Sequence, residues 1–474
     1  MPPPLALLLT LLFILYLFTR ESRQLYKPSP ALWIPCIWLM ILGSRAVSQW
    51  LNLGPPLQSP DDLLEGSPID RAVFLLLIIA GLVVLWRRHI SWSEVFRNNI
   101  WLTLFFLYCA VSILWSDFPF VASKRWIKAL GGPILALILL TEREPVKAVE
   151  TVIKRCAYVL IPLSILFIKY YPHLGKGYSE WGGAAYYTGV TTNKNFLGFL
   201  CMVFGLFFVY RLCLEWTQKH ELGKRTDVLF TILLLSMIQW LLWTADSKTP
   251  LLGLILGILV VTGLGYPNVR QHLGVCIVAG ILVFAVLDLS LNIASRIVSS
   301  AGRDTTLTGR TELWPVLLGM VVNPWIGHGF ESFWLGDKLK ALWAAYYFKP
   351  NEAHNGYLEV YLNLGWTGLF FLGGVIFSCY WKVRKMLMLS LSPGRTEGVD
   401  FGRFGMGYLA AFLIYNVTEA GFSALNFAFW IFLIIAIEYP QPHPAMTQSS
   451  PASLPGGPRK ASKVTAERFM TPIR

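Results

Sequence analysis

Arginine, histidine and carboxylate side chains collect in one polar stretch of an otherwise apolar chain. Between Gly302 and Gly368 lie Gly309-Arg310-Thr311-Glu312-Leu313-Trp314, Gly327-His328-Gly329-Phe330-Glu331 and Asn351-Glu352-Ala353-His354-Asn355-Gly356-Tyr357. A neutral imidazole near pH 7 accepts a proton from a hydroxyl, which makes His354 a candidate general base. The plainer reading is a loop histidine that caps the span beginning near Tyr357. Glu352 and Glu359 are both candidates to orient the ring, and spacing alone does not choose between them. Arg310 and Arg303 carry guanidinium groups that bind phosphate bidentately and stay charged at any relevant pH. A pyrophosphate leaving group needs such stabilisation where no metal supplies it. No DxD or NDD lies on the loops of this side and no His/Glu pair has ligand spacing, so neither a metal site nor a cofactor is expected. The set suits a membrane enzyme acting on an anionic, lipid-linked substrate.

Two further stretches belong to the same side of the chain. One ends in Thr191-Thr192-Asn193-Lys194-Asn195, the other is Asp246-Ser247-Lys248-Thr249. Each puts a lysine, Lys194 or Lys248, at the edge of an apolar run, where it either snorkels or binds phosphate. Asn193 and Asn195 are suited to hydrogen-bonding carbohydrate and equally to capping helices. Lys124, Arg125 and Lys128 add positive charge to a third loop of that side, which an anionic lipid headgroup would explain.

The elements that must hold these residues are membrane spans. Of 474 residues, 55% are hydrophobic and 14% charged, against about 25% charged in a soluble domain. Apolar runs able to cross ~30 Å of hydrocarbon fall near 5–19, 31–48, 72–86, 99–115, 126–140, 157–169, 196–212, 227–243, 250–266, 272–289, 357–380, 404–420 and 423–438. The fold expected is an all-α polytopic membrane protein of about 12–13 transmembrane helices with one large external loop carrying short helices. Its parts are a bundle over 1–289, the loop with the chemical motifs over 290–356, further spans over 357–438, and a disordered cytoplasmic tail over 439–474.

The net charge of +13 lies in short loops rather than along one face, so nucleic acid is not an expected partner. One alternating set of loops, with the tail, holds 25 of the 40 Lys and Arg residues. That set is expected in the cytoplasm, which puts the polar stretch outside. The seven cysteines have no CxxC spacing and support neither a disulfide framework nor a zinc site. Within the loop, Trp334, Leu335, Leu339, Leu342, Trp343 and Tyr346 recur at helical spacing, a face for a core or for the membrane interface. Arg310 and Trp314 would share one face of another short helix.

Thr191-Thr192-Asn193-Lys194-Asn195-Phe196-Leu197-Gly198, Gly309-Arg310-Thr311-Glu312-Leu313-Trp314, Gly327-His328-Gly329-Phe330 and His354-Asn355-Gly356-Tyr357-Leu358-Glu359, followed by Gly365-Trp366-Thr367-Gly368, resemble the O-antigen ligase and O-antigen polymerase superfamily. Over about 110–380 the likeness is greatest to exopolysaccharide polymerases of the succinoglycan type. The resemblance implies a membrane-embedded, GT-C-like, inverting and metal-independent glycosyltransferase in the bacterial cytoplasmic (inner) membrane. It would use an undecaprenyl-pyrophosphate-linked glycan at the external, periplasmic face. The family's catalytic histidine maps to His354 and its loop arginine to Arg310. A second basic residue, often arginine in the ligases, is lysine here, most simply Lys248, and loses the bidentate fork. Arg303, Lys194, Asn193, Asn195, Glu352, Asn355 and His328 complete the expected substrate-binding set. The implied partners are the lipid-linked glycan and membrane lipid, with flippase and chain-length-control proteins as candidates. Three other readings stay open: a ligase to lipid A core or another hydroxyl, a transporter or flippase of lipid-linked sugars, and a scaffold subunit of an export complex.

Overall fold

The computed structural model describes residues 1–22, 26–53, 66–178, 183, 185–217, 222–277, 310–346, 348–389 and 397–439. Arg303, most of the expected 272–289 span and the tail after Tyr439 lie outside them. The protein is helical almost throughout. In chain order the main helices are α1 (Pro3–Ser22), α2 (Trp33–Leu42), α3 (Pro68–Arg87), α4 (Ile100–Val111), α5 (Pro119–Leu140), α6 (Pro145–Tyr170), α7 (Lys194–Thr217), α8 (Leu222–Ala245), α9 (Lys248–Gly263), α10 (Arg310–Gly319), α11 (Gly336–Ala345), α12 (Gly356–Leu389), α13 (Glu397–Thr418) and α14 (Phe427–Ala436). One antiparallel hairpin pairs Lys176–Tyr178 with Ala185–Tyr187.

Every expected apolar run before 272 and after 357 has its helix, but the lengths differ from thirteen full crossings. Among the described residues, six helices are long and apolar enough to cross a membrane, or seven if Trp92–Asn98 and Ile100–Trp115, bent by 97°, form one span. Pro30–Leu42, Lys248–Gly263 and Phe427–Ala436 are apolar but shorter. At 1.5 Å per residue they fall short of ~30 Å. Phe427–Ala436 is buried along its whole length, so it fills the bundle interior. The chain is a multi-pass membrane protein.

Alternate helix ends gather at two ends of the bundle. At one, Arg155 donates to Glu21 at 2.9 Å, and Arg211 bridges Glu150 at 2.9 Å and Glu215 at 3.1 Å. At the other, the starts of α7, α9 and α12 meet the end of α13. There Asn195 reaches Glu419, Thr249 lies 2.8 Å from Thr418, and Ser247 donates to Asn195. Close helix approach uses small residues: a Cβ on Gly407 would stand 2.9 Å from the carbonyl oxygen of Gly257.

The polar stretch folds onto this second end as a cap with its own core of Leu313, Leu317, Phe333, Trp334, Leu339, Leu342, Ala353 and Leu362. The apolar face of α11 therefore packs on protein, which decides between the two uses open to it. The exposed apolar surface of the cap is elsewhere, at Val322 (85% exposed) and Trp325 (67%).

A joint in α12 locks the cap in place. Gly365 has φ +65°, and a Cβ there would lie 2.3 Å from the Trp325 carbonyl carbon. The helix breaks, so the amides of Trp366 and Thr367 donate to Pro324 O and Trp325 O rather than to the carbonyls four residues back. Those carbonyls, Leu362 O and Asn363 O, accept from the amides of His328 and Gly329. No backbone group is orphaned in this exchange. The Gly327-His328-Gly329 and Gly365-Trp366-Thr367-Gly368 motifs are two halves of one joint.

Candidate active site

His354 stands in the turn before α12, in the left-handed region at φ +49°. Such a backbone costs a non-glycine residue roughly 1–3 kcal/mol and persists only where its surroundings impose it. Asn355 is the clamp on the following side: its side-chain oxygen accepts from the amides of Tyr357 and Leu358, both at 3.0 Å. On the preceding side the Trp314 indole donates to Ala353 O at 2.9 Å, which ties α10 to the His354 turn. Arg310 begins α10, one helical turn before Trp314.

The imidazole is held between carboxylates. Its Nδ1 lies 2.9 Å from Glu352 Oε1 and 3.5 Å from Glu419 Oε2. Glu419 follows the end of α13 and is buried, while His354 and Glu352 are partly open. The Glu419 carboxylate is itself fixed by Asn195 Nδ2 at 2.9 Å, and Asn195 Oδ1 accepts from Ser247 Oγ at 3.1 Å. A run of polar side chains from α9 through α7 and α13 thus ends on the imidazole. A carboxylate beside Nδ1 favours the tautomer protonated there, in which Nε2 is the accepting nitrogen. This arrangement also stabilises the imidazolium that forms on proton transfer.

Glu359 does not orient the ring. Its carboxylate accepts from the Trp334 indole at 2.5 Å, the Ala353 amide at 3.0 Å and Asn363 Nδ2 at 3.2 Å, and so shapes the turn from beneath. Of the two candidates Glu352 is the one beside the ring, and Glu419, which the sequence reading missed, joins it there. The available signal was a carboxylate at the C-terminal edge of the apolar run 404–420.

Other expected members are placed elsewhere. His328 is buried in the cap, with Nε2 3.1 Å from Met320 O and the ring edge-on to Phe333. Burial, aided by Lys338, lowers its pKa; it is a part of the joint. Asn193 caps α7, accepting from the Phe196 amide at 2.8 Å. Lys248 turns away from the cluster: Ser247 and Thr249 on either side face it, whereas the ammonium pairs with Asp246 at 2.9 Å. Lys194 is half-buried at the start of α7. Arg125, on α5, donates to the backbone oxygen of Glu331 at 2.6 Å, so this loop does face the cap.

The sequence offered no ligand spacing, but folding brings Glu352, His354 and Glu419 together with one ligand atom from each lying within 4.8 Å of the others. Two carboxylates and an imidazole are donors that a divalent ion accepts. The same set equally serves an imidazole that must be oriented and charged in turn.

Two cavities flank this cluster and share Glu352 and Ala420 as a wall. One, of about 230 Å³, runs beside α4 and α12 and is bordered by Arg125, Glu331, Asn351 and Trp334. The other, of about 320 Å³, is bordered by Ser44, Ala46, Asn193, Asn195, Glu419 and Asn426.

Comparison with known proteins agrees with the motifs. Residues 229–373, which run from within α8 to the first half of α12, match the family described as O-antigen ligase. The exopolysaccharide production protein ExoQ of Rhizobium meliloti (strain 1021) is 26% identical over 330 residues, covering 67% of this chain and 72% of that relative. The matched segment carries the cap, the joint and His354, and over it the chain is similar to the O-antigen ligase family, as 67% of the chain is to an exopolysaccharide production protein.

Proposed function

We propose that the protein polymerises undecaprenyl-pyrophosphate-linked oligosaccharide repeats into exopolysaccharide or O-antigen at the outer face of the bacterial cytoplasmic membrane. His354 Nε2 takes the proton of the attacking hydroxyl. The hydroxyl oxygen bonds to the anomeric carbon as that carbon's bond to pyrophosphate breaks, and the bonding pair leaves with the undecaprenyl pyrophosphate. Attack from the opposite face inverts the anomeric centre. Arg310 is assigned to the departing pyrophosphate, with Arg303 as its helper, because a guanidinium matches phosphate geometry. Glu352 and Glu419 stabilise the imidazolium until the proton passes to solvent. The flippase and chain-length proteins expected from the sequence act before and alongside this step.

The observation that carries the reading is the His354 ring, held in a strained turn with both carboxylates at Nδ1. The family's ligase description supports a second reading, in which the same chemistry delivers glycan to lipid A core or another hydroxyl. The test uses purified protein in nanodiscs with a defined lipid-linked repeat unit. His354→Ala should keep donor affinity while turnover falls about 10²–10⁴-fold; wild-type turnover in a folded His354→Ala protein refutes the base assignment. A ladder of products from the repeat unit alone identifies a polymerase. Transfer only upon addition of a foreign acceptor identifies a ligase.

A further inference from the structure

Two clefts on the outside of the bundle meet at α8. The upper one, of about 390 Å³, lies at the cap end and is bordered by Gln239, Trp243, Asp246 and Lys248. The lower one, of about 590 Å³, runs between α7, α8 and α9, with a mostly apolar lining that includes Val209, Leu235 and Ile258. Gln239 and Trp243 border both, so the two form one groove. Along α8 it extends from Trp243 to Ile232, roughly 16 Å at 1.5 Å per residue, about one leaflet of a ~30 Å hydrocarbon core. Trp243 is 82% exposed, as suits an aromatic ring at the edge of a membrane.

Gln239 decides what the groove takes. It is exposed within a helix long and apolar enough to span the membrane, and among the described residues nothing bonds its amide. Ser236, also in the lower cleft, donates instead to Ile232 O of its own helix at 2.9 Å. An unpaired amide facing hydrocarbon is costly, which favours an occupant that carries acceptors at that depth. Gln239 lies roughly 9 Å below the end of α8, deeper than a headgroup phosphate and within side-chain reach of the ester carbonyls of a glycerolipid. A polyprenyl phosphate has no carbonyl there, because its chain is joined directly to phosphate. At the mouth, Asp246 and Lys248 pair at 2.9 Å with side chains 67% and 39% exposed. Such an open pair contributes little by itself, so both members can turn to a ligand at small cost. Together they are neutral and match a headgroup that carries a phosphate and an ammonium. Lys169, on α6, stands 4.8 Å from the centre of the Trp240 ring and borders neither cleft.

We propose that this groove binds one zwitterionic glycerophospholipid of the phosphatidylethanolamine type, from the leaflet on the cap side. Lys248 meets its phosphate, Asp246 its ammonium and Gln239 an ester carbonyl, while one acyl chain lies along Leu235 and Ile232.

The experiment is native mass spectrometry of the detergent-purified protein titrated with four lipids. These are dioleoyl phosphatidylethanolamine, its dialkyl ether analogue without carbonyls, dioleoyl phosphatidylglycerol and undecaprenyl phosphate. Wild type should bind the diester roughly fivefold tighter than the diether, the worth of one hydrogen bond, and should prefer it to the other two lipids. Gln239→Leu should bring diester and diether within about twofold of each other. Lys248→Gln should weaken both while keeping their ratio, and Ser236→Trp should fill the lower cleft and weaken both about tenfold. Thermal unfolding checks folding, with Ser236→Leu as the milder filler should the tryptophan variant fail. Equal binding of diester and diether by wild type, or a preference that survives Gln239→Leu, overturns the proposal. So does phosphatidylglycerol or undecaprenyl phosphate binding as tightly as the diester, or affinity that Ser236→Trp leaves unchanged.

Discussion

Replacing Glu419 and Glu352 by glutamine asks whether the carboxylates serve the imidazole. Glutamine keeps the shape and leaves an amide oxygen to accept from Nδ1, so the substitution removes charge rather than geometry. Glu352 is the nearer partner at 2.9 Å, but it and His354 are 40% and 32% exposed in their side chains. A charge-assisted bond of about 1.5–3 kcal/mol is discounted by that solvent to about 1 kcal/mol, roughly fivefold in rate. Glu419 lies farther, at 3.5 Å, yet only 8% of its side chain is exposed. The weaker contact is screened less, and ~1–2 kcal/mol, roughly 5- to 30-fold, is expected from Glu419→Gln. The losses should appear in turnover with donor KM unchanged, since the imidazolium exists only beyond the ground state. The double variant should lose more than either single one and remain no worse than His354→Ala, because both groups act on one nitrogen. The assay is single-turnover transfer in nanodiscs, run with chelator and with excess magnesium or manganese. Turnover should survive chelation, and added metal should not restore the variants. Loss on chelation, with recovery of Glu352→Gln at high metal, would refute the imidazole-clamp reasoning and make the triad a metal site.

Gly365→Ala should lower stability by about 1–3 kcal/mol or more, because its backbone is left-handed and its Cβ would meet Trp325. Gly373→Ala in the same helix meets nothing within 4 Å and should be neutral or slightly stabilising; thermal unfolding in detergent compares them. In a Cys276→Ser background, since Cys276 is exposed, Ala345→Cys should react with an impermeant thiol reagent in intact cells. Arg87→Cys should not, and reversed labelling would invert the orientation drawn from the lysine and arginine asymmetry. A fluorophore on Val322→Cys should be quenched by lipids spin-labelled near the headgroup, because Val322 and Trp325 are the exposed apolar edge of the cap. Quenching by aqueous iodide alone would place that edge in water.

Apolar run length and composition determined the class of this protein by themselves, because only a membrane tolerates so much apolar surface and so few charges. The runs also located nearly every helix, since backbone hydrogen bonds in hydrocarbon leave few alternatives to a helix. Sequence motifs named His354, and the folded chain puts it in a turn whose strain and partners make chemical sense. What the linear chain could not hold was everything depending on which helix ends meet. Glu419 is 65 residues from His354 in number, and only the packing of α13 against α7, α9 and α12 brings it to the ring. The same packing sends Lys248 outward while its neighbours face in, because successive positions on a helix point in different directions. His328 read as a site residue through the Gly327-His328-Gly329-Phe330 motif; the glycines of that motif bend the chain so that its amides replace the hydrogen bonds lost at Gly365. Periodicity could not say whether the apolar face of α11 meets lipid or protein, since both demand the same residues, and the choice was made by Leu313, Leu317 and Leu362 arriving from other parts of the chain.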